Sequence, residues 1–208
     1  LAHEIKNPLT PIQLTIDRIK NKFSKDLPSN DQNDFKNNLK IIDNQIKQIE
    51  NLVNEFSDFA RMPKPVMKKN NLVILLVDTI HLLKELDQSI MIKFNKSSDK
   101  IELNSDPEQI SRVFFNLIKN SIESIQQKAE KEADFNKKIS IELNDFNDHI
   151  SLVINDNGIG FGKLENNIKD ILNPYFTTKK NGTGLGLSIV NKIINDHNGE
   201  LEFYSIND

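Results

Sequence analysis

A histidine followed directly by a carboxylate, with a carboxamide four residues on, opens the chain: His3, Glu4 and Asn7 in Leu1-Ala2-His3-Glu4-Ile5-Lys6-Asn7-Pro8-Leu9-Thr10-Pro11. On a helix His3 and Asn7 share a face one turn apart, and Glu4 sits about 100° round the axis. Glu4 can take the proton side of one imidazole nitrogen, which leaves the lone pair of the other free to attack. A lone helical histidine is most often an ordinary surface or core residue, so the trio needs a substrate before it means anything. The C-terminal half supplies the candidate.

Four sets of residues follow one another there. Asn116 and Asn120 lie one helical turn apart in Asn116-Leu117-Ile118-Lys119-Asn120-Ser121-Ile122-Glu123, and carboxamide oxygens suit Mg²⁺ that already carries phosphate oxygens, because they coordinate it without adding negative charge. Asp156-Asn157-Gly158-Ile159-Gly160-Phe161-Gly162 ends a strand. A carboxylate there can accept a hydrogen bond from an exocyclic amine such as that of adenine, while glycines let the chain turn against the base. Asn173-Pro174-Tyr175-Phe176-Thr177-Thr178-Lys179 offers an aromatic anchor, hydroxyls and a cation. Gly182-Thr183-Gly184-Leu185-Gly186-Leu187 runs into a helix, and bare amides at a helix N-terminus cradle phosphate. Singly these are weak signals: paired asparagines usually decorate a surface, and a glycine run is often only a turn. Their conjunction, in order and each on a suitable element, is specific for a nucleotide site. Neither glycine run is a P-loop, since no Gly-Lys-Ser/Thr follows.

The elements that must position these residues read as α+β. Leu9, Ile12, Leu14, Ile16, Ile19 and Phe23 predict a first helix, with Pro8 and Pro11 marking a kink near its start. Phe35, Leu39, Ile42, Ile46, Ile49, Leu52 or Val53, and Phe56 predict a second, over about 31–60, with a heptad-like stripe. Two such helices make an antiparallel hairpin, and one hairpin leaves apolar surface that a second copy would cover as a four-helix bundle. Arg61-Met62-Pro63-Lys64-Pro65 ends the second helix and sets a domain boundary, 1–62 and 63–208. Beyond it the pattern predicts a helix over 72–86, strands over 90–94 and 100–103, and a helix from an Asp106 cap with Pro107 first, to about 129. A strand hairpin over 138–143 and 149–154, a helix over 185–196 and a last strand over 200–206 complete it, with antiparallel pairing expected. His81, His149 and His197 read as isolated helix or turn residues without metal-ligand partners. The 208 residues, 37% hydrophobic, can bury one large or two modest cores. A net charge of −3 argues against direct nucleic-acid binding. The absence of cysteine excludes a disulfide framework and Cys-based zinc or redox chemistry.

The chain resembles the catalytic core of two-component sensor histidine kinases. HEIKNPLTP resembles the phosphoacceptor H box, NLIKNSIES the N box, DNGIGFG and GTGLGLSIV the two glycine boxes, and PYFTTK the F box. The tract from Glu55 to Pro65 together with HEIKNPLTPIQL looks most like the NtrY-type nitrogen-regulation branch. The resemblance implies a dimeric helical hairpin followed by a GHKL-type ATP-binding α/β sandwich. It implies that His3 is phosphorylated, that Glu4 orients it as a base, and that Asn7 positions water for dephosphorylating a partner. It further implies that Asn120 binds Mg²⁺ with help from Asn116, that Asp156 holds the adenine amine, and that Gly158 and Gly160 shape that pocket. Lys179 and the stretch Gly182, Thr183, Gly184, Leu185 and Gly186 are then the phosphate-side contacts. ATP and Mg²⁺ are the implied cofactors, and a response-regulator receiver domain the implied partner.

Two departures stand out: Asn173 replaces the usual acidic residue before the F box, and Glu123 stands where many relatives carry lysine. The chain opens inside its H box and closes at Asp208, so it reads as a cytoplasmic fragment truncated at both ends, with membrane attachment expected only through upstream segments in the bacterial inner membrane. Autophosphorylation followed by transfer to a response-regulator aspartate is the expected activity. One alternative is an ATP-binding regulatory module that acts mainly as a phosphatase or partner-binding dimer. A GHKL ATPase clamp is a third reading, disfavoured because Asn116 stands where such enzymes carry a water-activating carboxylate.

Overall fold

The computed structural model describes residues 2–23, 28–132, 134–161, 170–179 and 182–204, with side chains from Pro8 onward except at 29 and 30. It separates into two compact units, one of 1–62 with 177–185, the other of 63–176 with 186–208.

The first unit is a pair of helices, α1 (Ala2–Phe23) and α2 (Ser29–Ala60). Leu9 and Ile16, seven apart, bury against Leu39 and Ile46, also seven apart, with Ile19 and Phe35 partly buried beside them. Gln13 Nε2 donates to Asp43 Oδ1 across the seam at 3.0 Å. α1 continues through both Pro8 and Pro11. Proline removes one helical donor and crowds the preceding turn, and here burial of Leu9 and Ile16 on α2 keeps the residues around it helical. Only half of the predicted stripe of α2 is covered: Leu39, Ile46 and Val53 are buried, whereas Ile42 and Ile49 are exposed.

The second unit holds β1 (Lys68–Asn71), α3 (Leu72–Lys84), β2 (Met91–Lys96), β3 (Glu102–Ser105), α4 (Pro107–Ala129), β4 (Lys138–Asp145), β5 (Ile150–Asp156) and α5 (Gly186–Asp196). β2, β4 and β5 form one sheet with β4 central, and β1 and β3 a separate antiparallel ribbon. β4 shows why it is central: Ile139, Ile141 and Leu143 are buried while Lys138 and Glu142 are exposed, the period of two that places alternate side chains on one face. They join Leu76 and Leu83 of α3, Ile118, Ile122 and Ile125 of α4 and Ile189, Val190 and Ile193 of α5 among the buried apolar residues.

The expected β4–β5 hairpin is antiparallel, pairing Ile141 with Ile154. β2 and β4 instead run parallel, Phe94 opposite Ile141. The reason is the connection, since α4 crosses between them and a crossover helix returns the chain in the same direction. β1 has no apolar alternation to announce it. It is a strand because it pairs with β3, Lys69 opposite Asn104, while Asn70 Nδ2 donates to the carbonyl of Ser105 at 2.7 Å. The described residues of the last predicted strand, 200–204, join no ladder, and a strand exists only where it has a neighbour to pair with. Among the described residues, no helix is long and apolar enough to cross a membrane.

α4 is anchored at its head. Asp106 Oδ1 accepts from the amides of Glu108 at 3.0 Å and Gln109 at 3.1 Å, while Pro107 starts the helix. Its Oδ2 accepts from the amide of Val66 at 2.8 Å, and Gln109 Nε2 donates to the carbonyl of Pro63 at 3.0 Å. The peptide leading into the second unit is thus tied to the start of α4. Burial works to raise the Asp106 carboxyl, but donors on Val66, Gln109 and Glu108 outweigh it and hold its pKa below the ordinary value. His197, in the turn after α5 as its sequence reading had it, completes the junction: its Nε2 accepts from the Asp106 amide at 3.0 Å and its Nδ1 meets the Ile193 carbonyl at 2.8 Å. Those partners select the neutral ring with its proton on Nδ1.

Candidate functional site

α4 carries three polar residues at steps of four, Asn116, Asn120 and Ser124, which puts them in one row along the helix. Asn116 Nδ2 donates to the carbonyl of Arg112 one turn back, at 2.9 Å. That bond turns its oxygen outward, toward the start of α5, where a Cβ built on Gly186 would lie 3.3 Å from Asn116 Oδ1. Asn120 is half-buried one turn further on, and Glu123 pairs with Lys119 at 3.8 Å.

The turn after β5 lies at the other end of the row. Asp156 Oδ1 accepts from the amide of Gly158 at 2.9 Å. The amide of Ile159 donates to Ser124 Oγ at 3.2 Å. A Cβ on Gly158 would sit 2.1 Å from Ser124 Oγ and 2.6 Å from its carbonyl carbon, so only glycine lets the turn lie this close to α4. Gly160 has φ +64°, a backbone region that glycine enters without strain. Phe161 then meets Phe203 edge-on, ring centroids 5.9 Å apart. Asp156 itself is exposed. The second unit therefore brings together Asn116, Asn120, Asp156, Gly158, Gly160 and Gly186.

The remaining expected residues lie in the first unit. His3, Glu4 and Asn7 fall on the first turns of α1, and their side chains are outside the described residues. Thr177–Leu185 groups with the hairpin and not with the rest of 63–208, a division finer than the boundary expected from sequence. Within that unit the Thr183 hydroxyl donates to the Glu55 carboxylate on α2. Lys179 is shaped by the amide it donates to Thr177 Oγ1 at 3.1 Å. Gly182 donates to the carbonyl of Lys179 at 3.2 Å, and Gly184 has φ +70°. Leu185 is fully buried, and its amide lies 3.4 Å from Thr183 Oγ1. Tyr175 also has φ +70°, a strained conformation for a bulky residue and a mark of functional segments. Sequence reading did not single out Ser124. The signal was available, since it continues the four-residue step of Asn116 and Asn120.

Comparison with known proteins matches this arrangement. Residues 105–207 fit the family model described as histidine kinase-, DNA gyrase B- and HSP90-like ATPase, and residues 1–65 that of the His Kinase A phospho-acceptor domain. The class is therefore a phospho-acceptor helical hairpin followed by a GHKL-type ATPase sandwich. A Rickettsia felis protein named as an NtrY-like sensor histidine kinase is 37% identical over 202 residues, covering 97% of this chain and 32% of its own length. The chain thus spans about a third of that relative. The nucleotide-free catalytic domain of histidine kinase ThkA aligns with TM-score 0.54 and 30% identity, over 64% of this chain and 82% of that one. The crystal structure of ThkA in complex with the response regulator protein TrrA aligns with TM-score 0.62 and 28% identity, over 95% of this chain and 53% of that one. The chain belongs to the histidine kinase family.

Proposed function

We propose that this chain is the core of a sensor histidine kinase, which uses ATP to phosphorylate His3 and passes the phosphoryl group to an aspartate on a response-regulator receiver domain. The observation that carries the proposal is the row along α4, in which Asn116 turns its oxygen toward the start of α5 while Ser124 holds the Asp156 turn. One end of the row suits phosphate and metal, the other a base.

Glu4 takes the Nδ1 proton of His3 as Nε2 attacks the γ-phosphorus. The Nε2–P bond forms, the bond from phosphorus to the β,γ-bridging oxygen breaks, and ADP leaves. In the second step a receiver carboxylate oxygen attacks the same phosphorus, the P–N bond breaks and the imidazole regains its proton. Magnesium, when bound with the triphosphate, neutralises charge on the phosphate oxygens. The donor set fits that ion, since the carboxamides of Asn116 and Asn120, one turn apart on α4, coordinate without adding negative charge. Asn116 and Asn120 would therefore contribute carboxamide oxygens beside those of phosphate. Lys179 and the amides of Gly182, Thr183, Gly184, Leu185 and Gly186 supply the positive side of the phosphate site. Catalysis of this kind is positioning and charge neutralisation.

Two features support partners. Ile12, Ile42 and Ile49 leave apolar surface on the hairpin exposed, as a four-helix bundle with a second copy requires. The likeness to ThkA, solved with the response regulator TrrA, supports a receiver domain as acceptor, with the turns around His3 as its docking face. The test is transfer of label from γ-labelled ATP with Mg²⁺. Acid-labile, base-stable label on the chain that vanishes in His3→Gln is expected. Tight ATP binding without such label would overturn the kinase reading.

A further inference from the structure

The turn after β5 is held more firmly than a strand end requires, and from two directions. Asn157 extends the ladder with its side chain: Oδ1 accepts from the amide of Lys138 at 2.9 Å, and Nδ2 donates to the carbonyl of Asn136. The Asn157 amide donates to the Lys138 carbonyl at 3.3 Å. From the opposite side Ser124 Oγ takes the amide of Ile159 at 3.2 Å. Asp156 comes just before these clamps at the end of β5, opposite Ile139, and its Oδ1 is committed to the amide of Gly158. Its Oδ2 has no hydrogen-bond partner among the described residues. The arrangement fixes the carboxylate's plane, because one oxygen is bound inward and the backbone on both sides is pinned to other elements.

Such fixing matters for telling bases apart. A carboxylate oxygen accepts from the 6-amino group of adenine and repels the 6-carbonyl oxygen of guanine. It discriminates only if it cannot swing aside, since a loose acceptor lets water or the amide beside it answer the carbonyl instead.

We propose that Ser124 and Asn157 are positioning residues for base selection: they lock the Asp156 turn between α4 and β4, and adenine specificity depends on them. The inference rests on reading that turn as the nucleotide-base site. A purely structural pair would stabilise the fold and leave selectivity untouched.

The experiment titrates fluorescent N-methylanthraniloyl ATP and GTP against the chain, its Ser124→Ala and Asn157→Ala variants and an Asp156→Asn control, with thermal midpoints in parallel. Loss of one hydrogen bond in Ser124→Ala predicts about fivefold weaker ATP binding, and loss of two in Asn157→Ala at least as large a fall. It also predicts a similar fall in the ratio of ATP to GTP affinity. A ratio equal to wild type in both variants, while Asp156→Asn loses ATP, overturns the inference and keeps the base-site reading. Unchanged binding in Asp156→Asn overturns the base-site reading and the inference with it. If Asn157→Ala does not fold, Ser124→Ala, which removes a single oxygen, decides the question alone.

Discussion

The two glycine-rich segments of this chain are built in opposite ways. The turn at Asp156–Gly160 is fixed by bonds that span the second unit: Ser124 lies 35 positions from Ile159, and Lys138 lies 19 from Asn157. The segment Thr177–Leu185 takes its shape from neighbours, Lys179 from Thr177, Gly182 from Lys179 and Leu185 from Thr183. Its Thr183 hydroxyl also donates to Glu55 on α2. A turn tied to several elements has one position, and displacing it breaks all its bonds at once. A segment shaped by its own short bonds keeps that shape wherever it is placed. The turn that would recognise a base is thus preorganised by the fold of the second unit, and the segment that would meet phosphates is organised locally.

Glycine substitution breaks the comparison most directly. Alanine at Gly158 would put a methyl 2.6 Å from a backbone carbon of α4, which no side-chain rotation can relieve. Overpacking of this kind costs about 1–3 kcal/mol. Gly158→Ala should lower stability by that amount and weaken ATP binding at least tenfold, about 1.4 kcal/mol. Adding Ser124→Gly should not restore it, because the contact with the main chain remains. Thermal melts and nucleotide titration check this, and near-wild-type behaviour would mean that the turn is not held flush on the helix.

Much of the preorganised half was legible in sequence. Asn116 and Asn120 stand one turn apart, Asp156 ends a strand, and Asp106-Pro107 announces a helix start, because each signal is local and set by helix or strand periodicity. What escaped depends on distant partners. β1 is a run of Lys and Asn whose strand character comes from β3, and the parallel direction of β2 and β4 comes from the crossover of α4. His197 lies in a turn as read, but nothing local signals the Asp106 amide, 91 positions away, that its ring accepts from. Thr177–Leu185 groups with the hairpin, and the bond from the Thr183 hydroxyl to the Glu55 carboxylate is a pairing that no local pattern encodes.

The head of α4 sharpens the comparison, because Asn116, Asn120 and Ser124 all depend on where that helix begins. Asp106→Ala removes a cap worth about 1–2 kcal/mol and also frees Val66. The charge gives it a pH signature. A carboxyl whose folded pKa is depressed adds stability above its unfolded pKa of about 3.9, and loses it as pH falls through the lower folded value. The gap in thermal midpoint between wild type and Asp106→Ala should be constant from neutral pH to about 4 and narrow below that. A gap that narrows already between pH 7 and 5 would show that another group supplies it.

The smallest effect is expected at Gly182, and it tests the locally built half. Alanine there would bring a methyl 2.4 Å from Thr177 Oγ1 and 3.1 Å from the Lys179 Cβ. Both are side-chain atoms, and a threonine hydroxyl can rotate away at the cost of the bond it accepts from the Lys179 amide. That bond is exposed, so its loss should cost at most about 0.5 kcal/mol. Gly182→Ala should therefore leave the thermal midpoint and the ratio of ATP to GTP affinity unchanged, whereas Gly158→Ala shifts the first and Ser124→Ala the second. If Gly182→Ala destabilised the chain as much as Gly158→Ala, the segment would be braced by the fold as firmly as the base turn. The contrast between the two halves would then collapse.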